Sequence, residues 1–259
     1  MPPADLQPHT TTGAMVSETS PGLFRLQIPP GEAGTYRLAQ LDDYRSKPRR
    51  DFPWTRGFVL QLMARSSRRV MPGTWGFGFW NDPFSMAILS GAGMLRLPNL
   101  PNSAWFFFSS PPNYLTLRDD LPVCGNLAVS YRSVHIPPGL LLLCAPILTF
   151  SLLPPIMRFM RQLASAIIIQ DAVDLRLDPT KWHTYLIEMR DNQVKFRVNG
   201  STVLNTVVVP LGPLGLVLWI DNQYAALPPS GKLKFGTLAT PENSWIEFKE
   251  ISYYHSDAS

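Results

Sequence analysis

The sequence is poor in cysteine, with only Cys124 and Cys144 among its 259 residues. Two cysteines cannot build the disulfide framework of a small secreted domain, and neither lies in a spacing typical of zinc sites. The first 22 residues lack the basic segment and the apolar run of a signal peptide. We therefore expect a cytoplasmic protein with reduced thiols, and peripheral attachment to a membrane is kept as an alternative.

The sequence also lacks a strong charge of either sign, since its net charge is +4 and its isoelectric point is near 9.2. Basic residues are concentrated between Lys47 and Arg50 and between Arg65 and Arg69. This pattern favours solvated loops and strand edges over a patch that binds anions or lipid headgroups. No stretch interleaves aromatic and basic residues as RNA-binding surfaces do, so we predict no nucleic-acid partner.

Short runs rich in aromatic and β-branched residues, separated by Gly, Pro and Asn, indicate many strands. Val194, Phe196 and Val198 alternate with basic residues, and Asn199-Gly200 is typical of a tight hairpin turn. Many short strands predict an all-β sandwich or barrel. We predict strands at 57–67, 74–82, 104–110, 126–136, 183–191, 193–200, 201–209, 214–222, 232–238 and 244–255.

We expect two regions outside these strands, namely a flexible tail over residues 1–22 and an apolar insertion at about 137–175 within a domain of residues 23–259. Residues 139–157 carry no charge, but prolines interrupt them, and a single membrane span would separate strands that must pair. Residues 139–168 would therefore pack on the sandwich or its oligomer, contact a membrane surface, or bind another protein. The stretch from Met157 to Leu175 is typical of a helix with Arg158 and Arg161 on one side.

Two segments carry a resemblance to a known family. "GTWGFGFWNDP" (73–83) resembles the G-x-W-P-A-F-W strand of glycoside hydrolase family 16. "KWHTYLIEMRDNQVKFRVNGSTVL" (181–204) is similar to the later strand and hairpin of that family, through Trp182, His183, Tyr185 and Glu188. The resemblance spans roughly residues 35–255 apart from the insertion. It implies the concanavalin A-like lectin/glucanase superfamily, a jelly-roll sandwich of two antiparallel sheets.

The family places its catalytic E-x-D-x-x-E motif on the next strand, and this chain has "NSAWFFFSSPP" (102–112) in that position. Alternation would put Trp105 and Phe107 on one face and Phe106 and Phe108 on the other, with no acid on either. Retaining glycosidases need two carboxylates, and the neighbouring Asp119-Asp120 pair would point to opposite faces. We therefore predict a non-catalytic binding or assembly module. The alternative is a divergent hydrolase that uses Asp82, Asp221 or Glu188.

Such sandwiches bind sugars in a groove through aromatic platforms and a few polar groups. "FWNDP" and "LWIDNQ" each place a Trp beside Asp and Asn at a strand end, and two such ends would converge on one rim. The predicted ligands are a carbohydrate or a small apolar molecule. The alternative is that the tryptophans belong to the core and the Asp and Asn side chains cap turns. We predict the groove residues Trp80, Asn81, Asp82, Trp105, Phe107, Trp219, Asp221 and Asn222.

No cofactor is predicted for this groove. Legume-type relatives bind calcium through Asp and Asn oxygens, so calcium is kept as the alternative, although no ordered run of ligands is present. His183 matches a strand position of the family and is expected at the core or a strand edge. Glu188 is expected to pair with a nearby basic side chain.

Overall fold

Alternation of apolar and polar residues along short strands builds two large antiparallel sheets. The computed structural model describes residues 5–83, 96–137, 139–140 and 153–255. The first sheet has the order β1 (Gln7–Thr10), β4 (Leu38–Asp42), β13 (Gly215–Asp221), β6 (Thr74–Trp80), β7 (Ser103–Ser109), β8 (Gly125–Ser133) and β9 (Ile168–Asp174). The second sheet has the order β12 (Ser201–Thr206), β11 (Val194–Val198), β10 (His183–Met189), β5 (Phe58–Ser66), β16 (Ser244–His255), β3 (Leu23–Ile28) and β2 (Met15–Ser20).

The core lies between the inner faces of the two sheets. The ring of Phe77 on β6 lies 5.1 Å from Tyr185 on β10 and 5.6 Å from Phe248 on β16. Phe106 on β7 lies 5.4 Å from Phe196 on β11. The predicted jelly-roll sandwich is therefore confirmed, and the face of the first sheet that points away from the core, here called the outer face, remains for other contacts.

The N-terminal segment differs from the prediction. Residues 7–10 form β1 at the edge of the first sheet beside β4, and residues 15–20 form β2 at the edge of the second sheet beside β3. Leu6 and Ala14 are buried in the core. The prediction of a flexible tail is wrong over residues 5–22, because edge strands need only one paired side and tolerate the polar composition seen here.

The helix α1 (Pro154–Ile167) also ends earlier than predicted. It begins with two prolines, which suit the first turn because their missing N–H groups would have no partner there. The prediction of helix up to Leu175 is wrong beyond Ile167, because Ile168–Asp174 pairs with β8 as strand β9. Residues 138 and 141–152, with Cys144 and much of the uncharged run, lie outside the described residues. No helix in the described ranges has the length and apolar character needed to cross a membrane.

Two smaller features complete the fold. Asn199 and Gly200 have φ values of 50° and 82° and join β11 to β12, as predicted for the hairpin. A short hairpin of β14 (Gln223–Ala226) and β15 (Lys234–Thr237) follows β13 directly. Tyr224 and Phe235 of this hairpin lie close to Trp105 and Phe107, so the hairpin stands beside the outer face of the first sheet.

Candidate functional site

Strand register places large rings and glycines next to each other on the outer face. Gly76 on β6 lies between Trp219 on β13 and Phe107 on β7, and Gly78 lies beside Trp105. A Cβ atom on Gly76 would lie 2.8 Å from Cη2 of Trp219, so the tryptophan ring lies over the glycine. The alternation Gly-Phe-Gly-Phe in residues 76–79 thus sends phenylalanines into the core and leaves room for rings on the outer face.

Four rings form a continuous aromatic floor on this face. The centroid of Trp105 lies 5.6 Å from Trp80, 5.4 Å from Phe107 and 5.3 Å from Trp219. Phe107 and Trp219 are 5.8 Å apart. Offset and tilted rings at these separations attract one another, so the floor is held together by its own contacts.

The β14–β15 hairpin and the loop around Asn113 form the wall of a groove above this floor. The loop and the hairpin are joined because Ala225 N–H donates to Asn113 Oδ1 at 3.0 Å and Tyr114 N–H donates to the Ala225 carbonyl at 2.9 Å. The groove has a volume of about 440 Å³. Its lining residues are Gln40, Thr74, Trp80, Trp105, Phe107, Asn113, Leu115, Val217, Trp219, Asp221, Gln223, Tyr224, Ala225 and Phe235.

Asp221 is the one acid among the described residues that line the groove. Thr74 Oγ1 donates to its Oδ1 at 2.8 Å and the Gln223 N–H donates to the same atom at 3.2 Å, while the Tyr36 hydroxyl donates to Oδ2 at 3.4 Å. Trp219 Nε1–H in turn donates to Thr74 Oγ1 at 3.0 Å. Burial raises the pKa of Asp221 to about 7, although its hydrogen bonds act in the opposite direction.

The side chains of Gln40 and Asn113, which also line the groove, are hydrogen-bonded to other groups of the protein. Gln40 Nε2 donates to Asp42 Oδ2 at 2.8 Å. Asn113 Nδ2 donates to the Ser110 carbonyl at 2.9 Å, and its Oδ1 accepts the hairpin N–H described above. The polar groups therefore fix the floor and wall in place.

Five of the eight predicted groove residues line the groove, namely Trp80, Trp105, Phe107, Trp219 and Asp221. Asn81 instead joins the strand end to the next segment, because its Nδ2 donates to the Leu100 carbonyl and its Oδ1 accepts the Asn102 N–H. The prediction that Asn81 lines the groove is therefore wrong.

Asp82 and Asn222 also lie outside the groove lining, and both predictions are wrong. Asp82 is buried and accepts from Arg96 Nη1 at 2.8 Å. Asn222 Oδ1 accepts the Arg37 N–H, and its Nδ2 donates to the Leu238 carbonyl. These side chains stabilise turns, which is the alternative that the sequence offered.

The two Trp-Asp-Asn strand ends do not converge on one rim. β6 and β13 are antiparallel neighbours, with Trp80 opposite Gly215 and Thr74 opposite Asp221. Six residues separate Trp80 from Thr74, so Asp82 and Asp221 lie roughly 20 Å apart at opposite ends of the pair. Glu188 belongs to the second sheet and binds Arg190 at 2.7 Å. The structure thus does not bring these three carboxylates together.

Strand β7, which carries the aromatic run of residues 103–109, has the predicted faces. Trp105 and Phe107 point to the outer face, while Phe106 and Phe108 are buried in the core. The nearby acids have other partners, since Asp119 binds Arg161 and Asp120 binds Arg118. His183 lies at the start of β10, where its ring contacts the Asp178 carbonyl and Asn199.

Sequence reasoning missed the wall of the groove, and it missed Thr74, whose hydroxyl is hydrogen-bonded to Trp219 and Asp221. Leu115, Tyr224 and Phe235 come from a loop and a hairpin whose positions depend on pairing between distant segments. Thr74 had a local signal, because it lies at the start of a predicted strand on the same face as Trp80. Among the described residues, no three His, Cys, Asp or Glu side chains form a group that could hold a metal ion.

No protein-family model and no curated protein matches the sequence. Solved structures are similar at low identity. They include a GlcNAcα1-4Gal-releasing endo-β-galactosidase from Clostridium perfringens, with 11% identity, a TM-score of 0.46, and coverage of 95% of this chain and 55% of that chain. A legume lectin-like domain from Entamoeba histolytica has 12% identity and a TM-score of 0.46 over 97% of this chain and 90% of that one. A Bacillus licheniformis β-glucanase has 11% identity and a TM-score of 0.46 over 98% and 94%.

The chain thus spans about half the length of the endo-β-galactosidase, 55% of it, and most of the other two proteins. At these identities the similarity concerns the fold alone. The two seven-stranded antiparallel sheets show an all-β sandwich.

Proposed function

We propose that this chain is a non-catalytic binding domain whose outer-face groove holds a small ligand. The observation that carries the proposal is the continuous floor of four aromatic rings beside Asp221, the one acid among the described lining residues. Ligand sites in proteins are concave and mostly apolar, with a few polar groups, and commonly measure about 300–1,000 Å³. The groove of about 440 Å³ falls within that range.

The distances between acids support a non-catalytic role. Among the described residues of this part of the outer face, the next acid after Asp221 is Asp42, which lies opposite Val217 on β13. Val217 is four residues from Asp221, so the two acids are about 13 Å apart. Two-acid glycosidases place their carboxyl groups about 5–9.5 Å apart. In addition, Asp42 accepts a hydrogen bond from Gln40 and is buried.

Ligand-induced changes in thermal unfolding test the proposal. The purified chain is screened against oligosaccharides, including β-1,3-glucan and mannose oligomers, and against small uncharged apolar compounds. We expect at least one class to raise the melting temperature with a saturable dose dependence. The effect should weaken in Phe235→Ala, whose ring lines the groove, and persist in Phe159→Ala, whose ring is similarly exposed on α1. No stabilisation by any compound would contradict binding.

Hydrolysis assays address the enzymatic alternative directly. The chain is incubated with laminarin and with mannan, and reducing ends are measured over time. We expect no release above a heat-inactivated control. Release that is abolished by Asp221→Asn, with the fold preserved, would show that the chain is a hydrolase and that the groove is its active site.

A second candidate function, contact with a membrane surface, is favoured by helix α1. Phe159 and Leu163 lie one helical turn apart and are exposed by 63% and 46%. The opposite side of the helix is fixed to the protein, since Arg161 donates to the Thr116 and Leu227 carbonyls. An exposed apolar stripe on an anchored helix is suited to insertion between lipid headgroups.

Vesicle sedimentation tests this second function. The chain is mixed with phosphatidylcholine vesicles with and without phosphatidylserine, and the bound fraction is measured. We expect binding that falls sharply in the double variant Phe159→Asp/Leu163→Asp and is unchanged in Val207→Asp, which alters an apolar side chain exposed elsewhere. Equal sedimentation of all three proteins would remove α1 as a membrane contact.

A further inference from the structure

The polar groups around the groove determine which class of ligand it can hold. Thr74 Oγ1 is bonded to both Trp219 and Asp221, and Asp221 accepts three hydrogen bonds. The amide groups of Gln40 and Asn113 are bonded to Asp42 and to backbone atoms of the loop and hairpin. Of the polar side chains that line the described groove, the Gln223 amide and the Tyr224 hydroxyl have no hydrogen bond to another described residue. The indole N–H groups of Trp80 and Trp105 also lack a partner in the part of the chain that the structure describes, but these atoms are buried.

We infer that the groove takes a small, uncharged, apolar molecule with a flat face, and that it does not take a saccharide. The inference rests on the proposed function, because it specifies the ligand class of the same groove. Its basis is the combination of an aromatic floor, an exposed apolar wall, and the bonding of Gln40, Thr74, Asn113 and Asp221 within the protein.

A saccharide would be a poor occupant because its hydroxyl groups need partners. A sugar stacked on an aromatic ring still presents several donors and acceptors at its edge, and sites that select sugars supply side chains to meet them. Each buried hydroxyl without a partner costs about 1–3 kcal/mol. Here a sugar would meet the Gln223 amide and the Tyr224 hydroxyl, and for further partners it would have to break the bonds that hold Asp221 and Asn113 in place.

An apolar molecule meets none of these costs and gains contacts on two sides. Phe235 on the wall is 71% exposed and Leu115 is 37% exposed, so a ligand above the floor would remove both from water. The rings of Trp105 and Trp219 line the floor of the groove, and aromatic rings attract other flat aromatic groups that pack against them. Burial of apolar area stabilises the bound state by about 25 cal/mol per Å².

Charged ligands are disfavoured for two separate reasons. No Lys, Arg or His lines the described groove, so an anion would find no counter-charge and would face Asp221. A cation would find aromatic faces and one carboxyl group, but Asp221 already accepts three hydrogen bonds. Burial also raises the pKa of Asp221 to about 7, so the carboxyl is largely uncharged in mildly acidic solution.

Fluorescence titration with N-phenyl-1-naphthylamine, an uncharged apolar probe that carries a flat naphthyl group, tests the inference. We expect saturable binding with one site per chain. Truncation of the wall in Phe235→Ala or Leu115→Ala should raise the dissociation constant roughly tenfold, because an apolar contact surface is lost. Phe159→Ala on α1 is the matched control and should bind as the unchanged chain does. All variants alter partly or fully exposed side chains, and melting curves verify their folding.

Parallel titrations with laminaritetraose, mannotetraose and choline distinguish the possible failures. The inference is supported if the probe binds and neither the two sugars nor choline displaces it. Binding of a tetrasaccharide or of choline in place of the probe would overturn the inference and leave the proposed binding function standing. Absence of binding by any of the four compounds would overturn both. A probe signal that is lost in Phe159→Ala and retained in Phe235→Ala would place the apolar site on α1 and overturn the inference.

Discussion

The buried carboxyl group of Asp221 makes a quantitative prediction about stability and pH. Its pKa rises from 3.8 to about 7 because burial disfavours the charged form. The folded state therefore keeps the proton up to about pH 7, whereas the unfolded chain releases it near pH 4. A difference of about 3 pKa units corresponds to about 4 kcal/mol, which is lost from the free energy of unfolding as pH rises from about 4 to about 7.

Replacement of Asp221 by Asn removes this titration and keeps the shape of the side chain. The Asn oxygen can accept from Thr74 and the Gln223 N–H, and its NH₂ group can donate to the Tyr36 hydroxyl. We expect the free energy of unfolding of Asp221→Asn, relative to the unchanged chain, to increase by about 3 kcal/mol between pH 5 and pH 8. Above pH 8 the difference should be constant.

Urea unfolding followed by far-UV circular dichroism at pH 5, 6, 7 and 8 measures the difference. Asp43, whose pKa is also raised by burial, to about 6, is present in both proteins and cancels. Asp178→Asn is the control whose difference from the unchanged chain should not vary over this range, because hydrogen bonds from Thr180 and then Arg69 lower the pKa of that half-buried acid, so it is ionised in both states from pH 5 upward. A difference between Asp221→Asn and the unchanged chain that does not vary with pH would refute the reasoning.

Three further predictions concern single contacts. Thr74→Val should lower the free energy of unfolding by about 2 kcal/mol in urea titrations, because Asp221 and Trp219 both lose their hydrogen bond to the Thr74 hydroxyl. Thr74→Ser keeps a hydroxyl and should unfold at nearly the same urea concentration as the unchanged chain. An equal loss of stability in both variants would show that the hydroxyl does not stabilise the fold. Arg161→Met should speed amide hydrogen exchange in α1 while β5 exchanges as before; unchanged rates in α1 would show that Arg161 does not anchor it. Glu247→Gln should lower the free energy of unfolding by about 2 kcal/mol in the same titrations, because Glu247 is 1% exposed and binds Arg25 and Arg65 at 2.6 and 2.7 Å. An unchanged free energy of unfolding would contradict this role.

Local patterns predicted the parts of the fold that depend on neighbouring residues. The strand runs around Phe77, Phe106 and Phe196 lie where the sequence placed them, and Asn199-Gly200 closes its hairpin. The faces of the strand from Ser103 to Ser109 also follow from alternation alone. Edge strands β1 and β2 could not be predicted in this way, because their polar sequences gain stability only from the partner strand beside them.

The sequence predicted only part of the candidate site, because the rest depends on contacts between distant strands. The rings of Trp80, Trp105, Phe107 and Trp219 were recognisable as an aromatic set, but the sequence could not say whether they belonged to the core or to a groove. That choice depends on strand order, since β13 and β7 flank β6 only in the folded sheet. The direction of pairing then separates Asp82 from Asp221.

The sequence by itself determined that this chain forms a sandwich of short strands and that the strand from Ser103 to Ser109 carries aromatic rings and hydroxyls but no acid. Periodicity and turn chemistry are local properties, so they can be read without coordinates. Only the tertiary structure decided which rings share a floor, which loop walls it, and that Asp221 is buried beside Thr74. These features arise from contacts between segments up to about 150 residues apart, such as the 147 between Thr74 and Asp221, and no local pattern encodes them.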